Sequence, residues 1–349
     1  MFVVRPIARD DLPAVLALSE HTGGGLTTLP ANRERLAERI DRSIASFAGT
    51  ASRADACYVF VLVDHGTADR RVVGVSAIEA AVGLKEPWYN YRVGTLVHAS
   101  RALDVYTAVP TLFLANDHTG HTELCTLFLD QAFRHGHNGP LIAKSRLLFI
   151  AEFADRFGAK VIAELRGRLD AGGRSPFWEG LGRHFFSMEY TTADYLTGIG
   201  QKAFIAELMP KHPVYVNLLP ASARDAIDAV HADTEPARRM LEQEGFRYDG
   251  YVDIFDAGPT VEAFRDSIDA VRRSRVLPVT FDEIDPVPDN PVGGVPWLVA
   301  SRSFGQFRAL VAIAPARADR LPLKPHEAAA LGVEEGATVR AVPLSPRDR

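Results

Sequence analysis

The residues Leu124-Cys125-Thr126-Leu127-Phe128-Leu129 make an apolar run that stops at Asp130 and opens into a polar loop, Arg134-His135-Gly136-His137-Asn138-Gly139. Apolar residues resume beyond Pro140 at Leu141, Ile142, Leu148, Phe149 and Phe153. A short apolar run closed by turn residues reads as a buried strand, and the later spacing reads as a helix. A strand that delivers a glycine-containing loop to a helix start presents unpaired backbone N–H groups and the positive end of the helix dipole. That arrangement suits a pyrophosphate. A plain strand-to-helix turn has the same local pattern, so the loop alone does not decide between them.

The flanking segments also alternate between the two types. Phe2-Val3-Val4-Arg5 reads as a strand, and a helix follows through Leu12, Val15 and Leu16. After a glycine loop, His21 to Thr27, a second helix is expected from about Asn32 to Phe47, with Leu36, Ile40, Ile44 and Phe47 on one side. Tyr58 to Val63 and Val72 to Ile78, joined by a turn containing Gly66, read as a hairpin. Further strands are expected at Lys160 to Leu165 and Tyr251 to Phe255. A short helix, Ala237 to Glu244, leads to Gly245-Phe246, and Val261 to Ser274 reads as a linking helix. Trp178, Phe185 and Phe186 read as core of an irregular, partly helical stretch. Prolines 278, 286, 288, 291 and 296 crowd a loop, after which Trp297 to Ala300, Phe307 to Ile313 and Val339 to Val342 read as strands.

The fold class is therefore mixed α/β, a central mixed sheet flanked by helices. Two domains are expected: 1–262, with an insertion at about 175–235, and a small β-rich domain at 275–349. The 349 residues, 47% hydrophobic, are ample for a core without disulfides. A net charge of −5 and the lack of a basic run exclude the cationic face that nucleic acid requires. No apolar run reaches the roughly 20 residues of a membrane span. Cys57 and Cys125 sit in apolar strands and read as buried free thiols, which fits a reducing cytoplasm.

Asp130-Gln131-Ala132-Phe133-Arg134 followed by Gly136 and Gly139 resembles the coenzyme A pyrophosphate loop of the acyl-CoA N-acyltransferase superfamily, with His137 where that pattern has its first glycine. The helix ending in Gly245-Phe246 resembles a late element of the same superfamily. Longer segments are similar to the arginine N-succinyltransferase family. They are Thr22 to Thr27, Pro87-Trp88-Tyr89-Asn90-Tyr91-Arg92-Val93-Gly94, Thr122 to Leu129, Ser175-Pro176-Phe177-Trp178 and Gly200 to Leu208. The resemblance covers nearly the whole chain and weakens after about residue 265.

This resemblance implies an acyl-CoA N-acyltransferase (GNAT-like) fold and transfer of a succinyl group from succinyl-CoA to the α-amine of arginine. Ornithine or another amine is an open alternative acceptor. No cofactor is implied beyond succinyl-CoA as co-substrate. Partners are a second copy of the chain or a related subunit. Cofactor-binding residues are Leu127 through its backbone, with Arg134, Gly136 and Gly139. The superfamily's tyrosine acid is replaced by Leu241, and the resemblance assigns the proton donor to His231. Arg92, Arg166 and Arg174 are candidates for the succinyl carboxylate; Glu79, Glu123 and Glu164 are candidates for the guanidinium. His118 with His121, and His135 with His137, are poor metal ligand sets without further donors, so no metal is expected.

Overall fold

The computed structural model describes residues 1–22, 28–66, 70–200, 203–282 and 294–344. The glycine loop at 23–27, Gln201-Lys202 and prolines 286, 288 and 291 lie outside the described residues.

Fifteen strands of the described residues form one sheet: β1 (Phe2–Pro6), β2 (Cys57–Asp64), β3 (Val72–Glu79), β4 (Asn90–Ser100), β5 (Val105–Ala115), β6 (Thr122–Leu129), β7 (Lys160–Glu164), β8 (Val214–Tyr215), β9 (Arg247–Val252), β10 (Pro259–Phe264), β11 (Arg275–Thr280), β12 (Val295–Ser301), β13 (Ala309–Ala314), β14 (Leu321–Pro322) and β15 (Thr338–Pro343). Their order is β14-β11-β15-β12-β13-β1-β2-β3-β6-β7-β10-β9-β4-β5-β8. The helices are α1 (Leu12–Glu20), α2 (Arg33–Phe47), α3 (Asn138–Glu152), α4 (Arg183–Phe186), α5 (Tyr190–Gly198), α6 (Ala203–Leu208), α7 (Ala221–Arg224), α8 (Glu235–Gln243), α9 (Asp269–Arg273) and α10 (Pro325–Leu331).

β2 is apolar along its length because both of its faces are covered. Tyr58, Phe60 and Leu62 pack with α3 residues such as Phe149. Cys57, Val59, Val61 and Val63 pack with Val15, Leu18, Leu36 and Ile40 of α1 and α2. A strand buried on both sides reads as a continuous apolar run. α2 starts where the Asn32 side chain accepts the Arg35 N–H. Ser43 and Ser46 on its inner face accept the N–H groups of Val59 and Cys57, which fixes the helix to the sheet. α4 to α7 pack with β4 and β9 around a separate core of Tyr91, Phe177, Trp178 and Phe186. Phe186 is buried there, whereas Phe185 is exposed. The C-terminal strands join the same sheet through β13, where Ala309 pairs with Val4 of β1.

Two expected elements differ. The segment expected as a linking helix is instead β10, paired on both edges with β7 and β9, followed by the short α9. Val261, Phe264, Ile268 and Val271 fall three or four apart and mimic a helix. In the structure Val261 and Ala263 point inward while Phe264 is exposed. The strand expected at Tyr251 to Phe255 runs earlier, over Arg247–Val252. Asp253 ends it by accepting the N–H groups of Phe255 and Asp256 at 2.7 and 2.8 Å.

α3 carries two buried cations. Lys144 pairs with Glu244 at 2.8 Å, with side chains 7% and 3% exposed. Removing one partner strands a charge in the interior. Lys144→Ala is therefore expected to cost about 3–5 kcal/mol in urea unfolding. The isosteric pair Lys144→Met with Glu244→Gln should recover most of that loss.

Candidate active site

β6 and β7 are parallel neighbours, but they pair only at Thr122↔Val161 and Glu123↔Ile162 and then separate. On its other edge β6 stays with β3 and slips in register. Ala77 faces Cys125 and Val75 faces Phe128, so Thr126 and Leu127 together stand opposite Ser76. This is a β-bulge, a device that re-aims a strand next to a site. Thr126 takes φ +55°, an unfavourable angle for a β-branched residue. Arg146 of α3, itself buried, donates from Nη1 to the carbonyls of Ala77 and Cys125 at 3.3 and 3.0 Å. Burial pushes its guanidinium down to about 10, so it remains charged at neutral pH.

The gap opens into a cavity of about 920 Å³, bounded by β6, the loop 134–139, the start of α3 and the α8 region. Leu127, Arg134, Gly136 and Gly139 all line it. Gly136 has φ +57°, which a side chain would resist. At Gly139 an added Cβ would meet nothing, so no intramolecular contact calls for glycine there. The open space lies over the first turn of α3, where N–H groups lack helical partners. Arg134 is steered by donating to the Leu129 carbonyl at 3.0 Å. Leu241 is buried and lines the same cavity.

A second cavity of about 610 Å³ opens on the far side. Cys125, Thr126, Glu164, Leu165 and Arg166 line both, so the two cavities meet where β6 and β7 part. The second cavity is rich in carboxylates. Asp253 and Asp256 are committed to backbone donors: Asp256 accepts the N–H of Gly167 at 2.7 Å and of Gly258 at 2.8 Å. Any side chain at Gly167 would strike Asp256, with Cβ 2.4 Å from its carbonyl oxygen. Glu164 accepts from Asn90 at 2.9 Å. Burial, with the Asp253 and Glu123 carboxylates close by, holds Glu164 well above the usual carboxylate range. Glu79 sits nearer the mouth and is engaged by Arg39 and Arg42.

His231 stands at the edge of this junction. Its N–H donates to the Arg166 carbonyl at 2.9 Å. Its Nδ1 accepts the Asp233 N–H at 3.2 Å and lies 3.8 Å from the Asp233 carboxylate. Asp233 and Thr234 line the larger cavity, whereas His231 itself is in the lining of neither cavity. Of the three candidate arginines, Arg166 reaches the junction. Arg92 is held by Asp117 and Tyr251, and Arg174 pairs with Asp170 in an exposed loop. Sequence reasoning missed the Thr126 bulge, Arg146 and the Asp253–Asp256 turn. Each depends on partners distant in the chain.

The parallel neighbours of the mixed sheet thus separate beside a glycine loop at a helix start. The chain belongs to the arginine N-succinyltransferase beta subunit family, whose model matches residues 2–270. The model of that subunit's C-terminal domain matches residues 275–343. An arginine N-succinyltransferase of Yersinia enterocolitica is 54% identical, over 99% of this chain and 98% of the relative. One from Enterobacter sp. (strain 638) is 52% identical, over 100% and 99%. The solved structure of arginine/ornithine succinyltransferase subunit AI from Pseudomonas aeruginosa superposes with a TM-score of 0.89 at 37% identity, covering 99% of both chains. No helix among the described residues is long and apolar enough to cross a membrane.

The raised pKa of Glu164 gives a signed expectation. Between the unfolded carboxylate value of about 4.3 and the higher folded value, the native state binds the extra proton. Stability attributable to this group is therefore lost as pH rises. Glu164→Gln should gain stability relative to wild type as pH increases from 5 to 8, in urea unfolding at each pH.

Proposed function

We propose that this chain, in the cytoplasm, transfers the succinyl group of succinyl-CoA to the α-amine of L-arginine, giving N2-succinylarginine and CoA. The observation that carries this reading is the meeting of two cavities at one break in the sheet. One has a glycine loop at a helix start, fit for a pyrophosphate; the other is rich in carboxylates, fit for a cationic amino acid. Family membership supports the same reading.

CoA would lie with its pyrophosphate over Gly136, Gly139 and Arg134 and its pantetheine between β6 and β7. The Leu127 N–H, aimed by the bulge, would polarise the thioester carbonyl. Glu164, the one carboxylate among the described residues that lines both cavities, would take a proton from the arginine ammonium. The amine then attacks the carbonyl carbon, the C–N bond forms and the C–S bond breaks. The departing thiolate takes a proton from the His231 imidazolium, whose Nδ1–H turns to the Asp233 carboxylate. The proton shed by the forming amide recharges His231, and the one on Glu164 leaves to solvent. Arg166, which lines both cavities, would hold the succinyl carboxylate, a pairing that suits a guanidinium.

Ornithine is the second acceptor to test, because the Pseudomonas aeruginosa protein is an arginine/ornithine succinyltransferase subunit. A subunit partner would find apolar surface on the β4–β5 arm, where Leu96, Val97, Leu103 and Tyr106 are exposed.

CoA release by the purified chain tests the function. Release from succinyl-CoA should depend on arginine and exceed that from acetyl-CoA; faster turnover with ornithine would move the assignment to the second acceptor. His231→Ala should lower kcat by roughly 10²-fold, the lower end of general acid–base contributions, while CoA affinity by calorimetry stays unchanged. Near-wild-type turnover would remove His231 from the mechanism. Gly139→Val should raise the KM for succinyl-CoA at least tenfold without shifting the melting temperature, because the protein itself leaves that space open.

A further inference from the structure

His118 and His121 occupy a tight turn between β5 and β6. The turn is pinned at both ends: His121 N–H donates to the His118 carbonyl at 2.9 Å, Gly120 N–H to Val82 at 2.8 Å, and Val82 N–H back to His121 at 2.9 Å. Glu262 arrives from β10, far along the chain but close in the sheet. One donor atom from each of these three residues lies within 4.8 Å of the others.

The hydrogen bonds around Asn90 fix the state of His118, which is 1% exposed. The Trp88 indole, a donor only, donates to Asn90 Oδ1 at 3.1 Å. Asn90 Nδ2 in turn donates to Glu164 and to Thr260 Oγ1 at 2.9 and 3.2 Å. The amide orientation is thereby set, and Oδ1 is an acceptor. His118 Nδ1, 2.7 Å from the same oxygen, must carry a hydrogen. In the neutral ring the lone pair is then on Nε2. That atom faces Glu262 Oε2 at 3.3 Å, outside hydrogen-bond alignment. A lone pair and a carboxylate oxygen repel unless a cation lies between them.

A proton would reconcile His118 with Glu262 but leaves a third atom unexplained. His121 Nδ1 is also buried and has no protein hydrogen-bond partner. A metal ion accounts for all three atoms at once. We propose that His118 Nε2, His121 Nδ1 and Glu262 bind one divalent transition-metal ion of the zinc class. Two imidazoles and one carboxylate suit such an ion, with bonds of about 2.0–2.2 Å and a fourth position open to water. Tetrahedral bonds of that length set donors about 3.4 Å apart, matching the His118–Glu262 separation and requiring a small movement of His121. The Nδ1–H bond to Asn90 is the outer contact that orients a ligating histidine. Glu262 is the anionic donor of the set, with Oε2 toward His118. Lys160 binds its other oxygen. Lys160 also repels a dication, so the affinity falls short of a closed four-ligand site. Through Asn90 the ion would sit two hydrogen bonds from Glu164, as a positioning element behind the acceptor cavity.

The test uses the full chain, stripped with a chelator and titrated with Zn²⁺ and separately with Co²⁺. One ion per chain is expected, with the visible absorption of a four-coordinate Co²⁺ centre. Zn²⁺ should raise the melting temperature. His121→Ala, a change at a partly exposed turn, should weaken Zn²⁺ at least tenfold and abolish the Co²⁺ spectrum; Glu262→Gln should do the same. Absence of saturable uptake by wild type, with nitrogen NMR showing both His118 nitrogens protonated, would overturn the proposal in favour of a histidine–glutamate ion pair. Wild-type affinity in both variants would overturn it by placing the ion elsewhere. Neither readout depends on catalytic activity.

Discussion

The separation of β6 from β7 after two paired residues is the constraint on which the rest of the molecule depends. A parallel pair that continued would bury its backbone groups in a ladder and leave no passage through the sheet. Here the pair ends at Glu123↔Ile162, and the bulge at Thr126 and Leu127 turns the backbone toward the opening. The positive φ of Thr126 is unfavourable and persists because its surroundings hold it. Arg146 is the central support, a buried guanidinium bonded to carbonyls on both strands of the bulge. α3 thus has two tasks: its first turn faces one cavity, and its interior cation stabilises the strand between the cavities.

Charge is arranged on either side of that opening in opposite senses. The larger cavity offers a helix start and Arg134, features that favour anions. The smaller one gathers carboxylates; backbone N–H groups hold Asp253 and Asp256, yet burial pushes both above the usual carboxylate range, Asp253 further through Asp256 beside it. Glu164 lies between them with its proton affinity raised by burial and by its neighbours. A group of that kind, placed where the two cavities meet, suits proton abstraction.

Much of this was legible in the sequence because it is local. The apolar runs of β2, β3 and β6, the Asn32 cap of α2 and the loop 134–139 each announce themselves within a few residues. Part of the loop's shape could be read because glycine at 136 has a backbone meaning, a φ of +57°. What escaped is non-local. β10 carries apolar residues at a spacing that also suits a helix, and only its pairing with β7 and β9 decides the matter. The Thr126 bulge is a register slip against β3, invisible without the partner strand. Asn90, His118, Glu164 and Glu262 form one connected cluster from four separate segments. The pair His118 and His121 gains a third donor only when β10 is folded against the turn.

The most direct test of the account is a crystal structure of the chain with CoA and N2-succinylarginine bound together. The pantetheine should pass between β6 and β7 with the pyrophosphate over Gly139, and the guanidinium should lie in the carboxylate-rich cavity beyond Glu164. Both ligands on the same side of the sheet, or a product guanidinium away from Glu123 and Glu164, would contradict it.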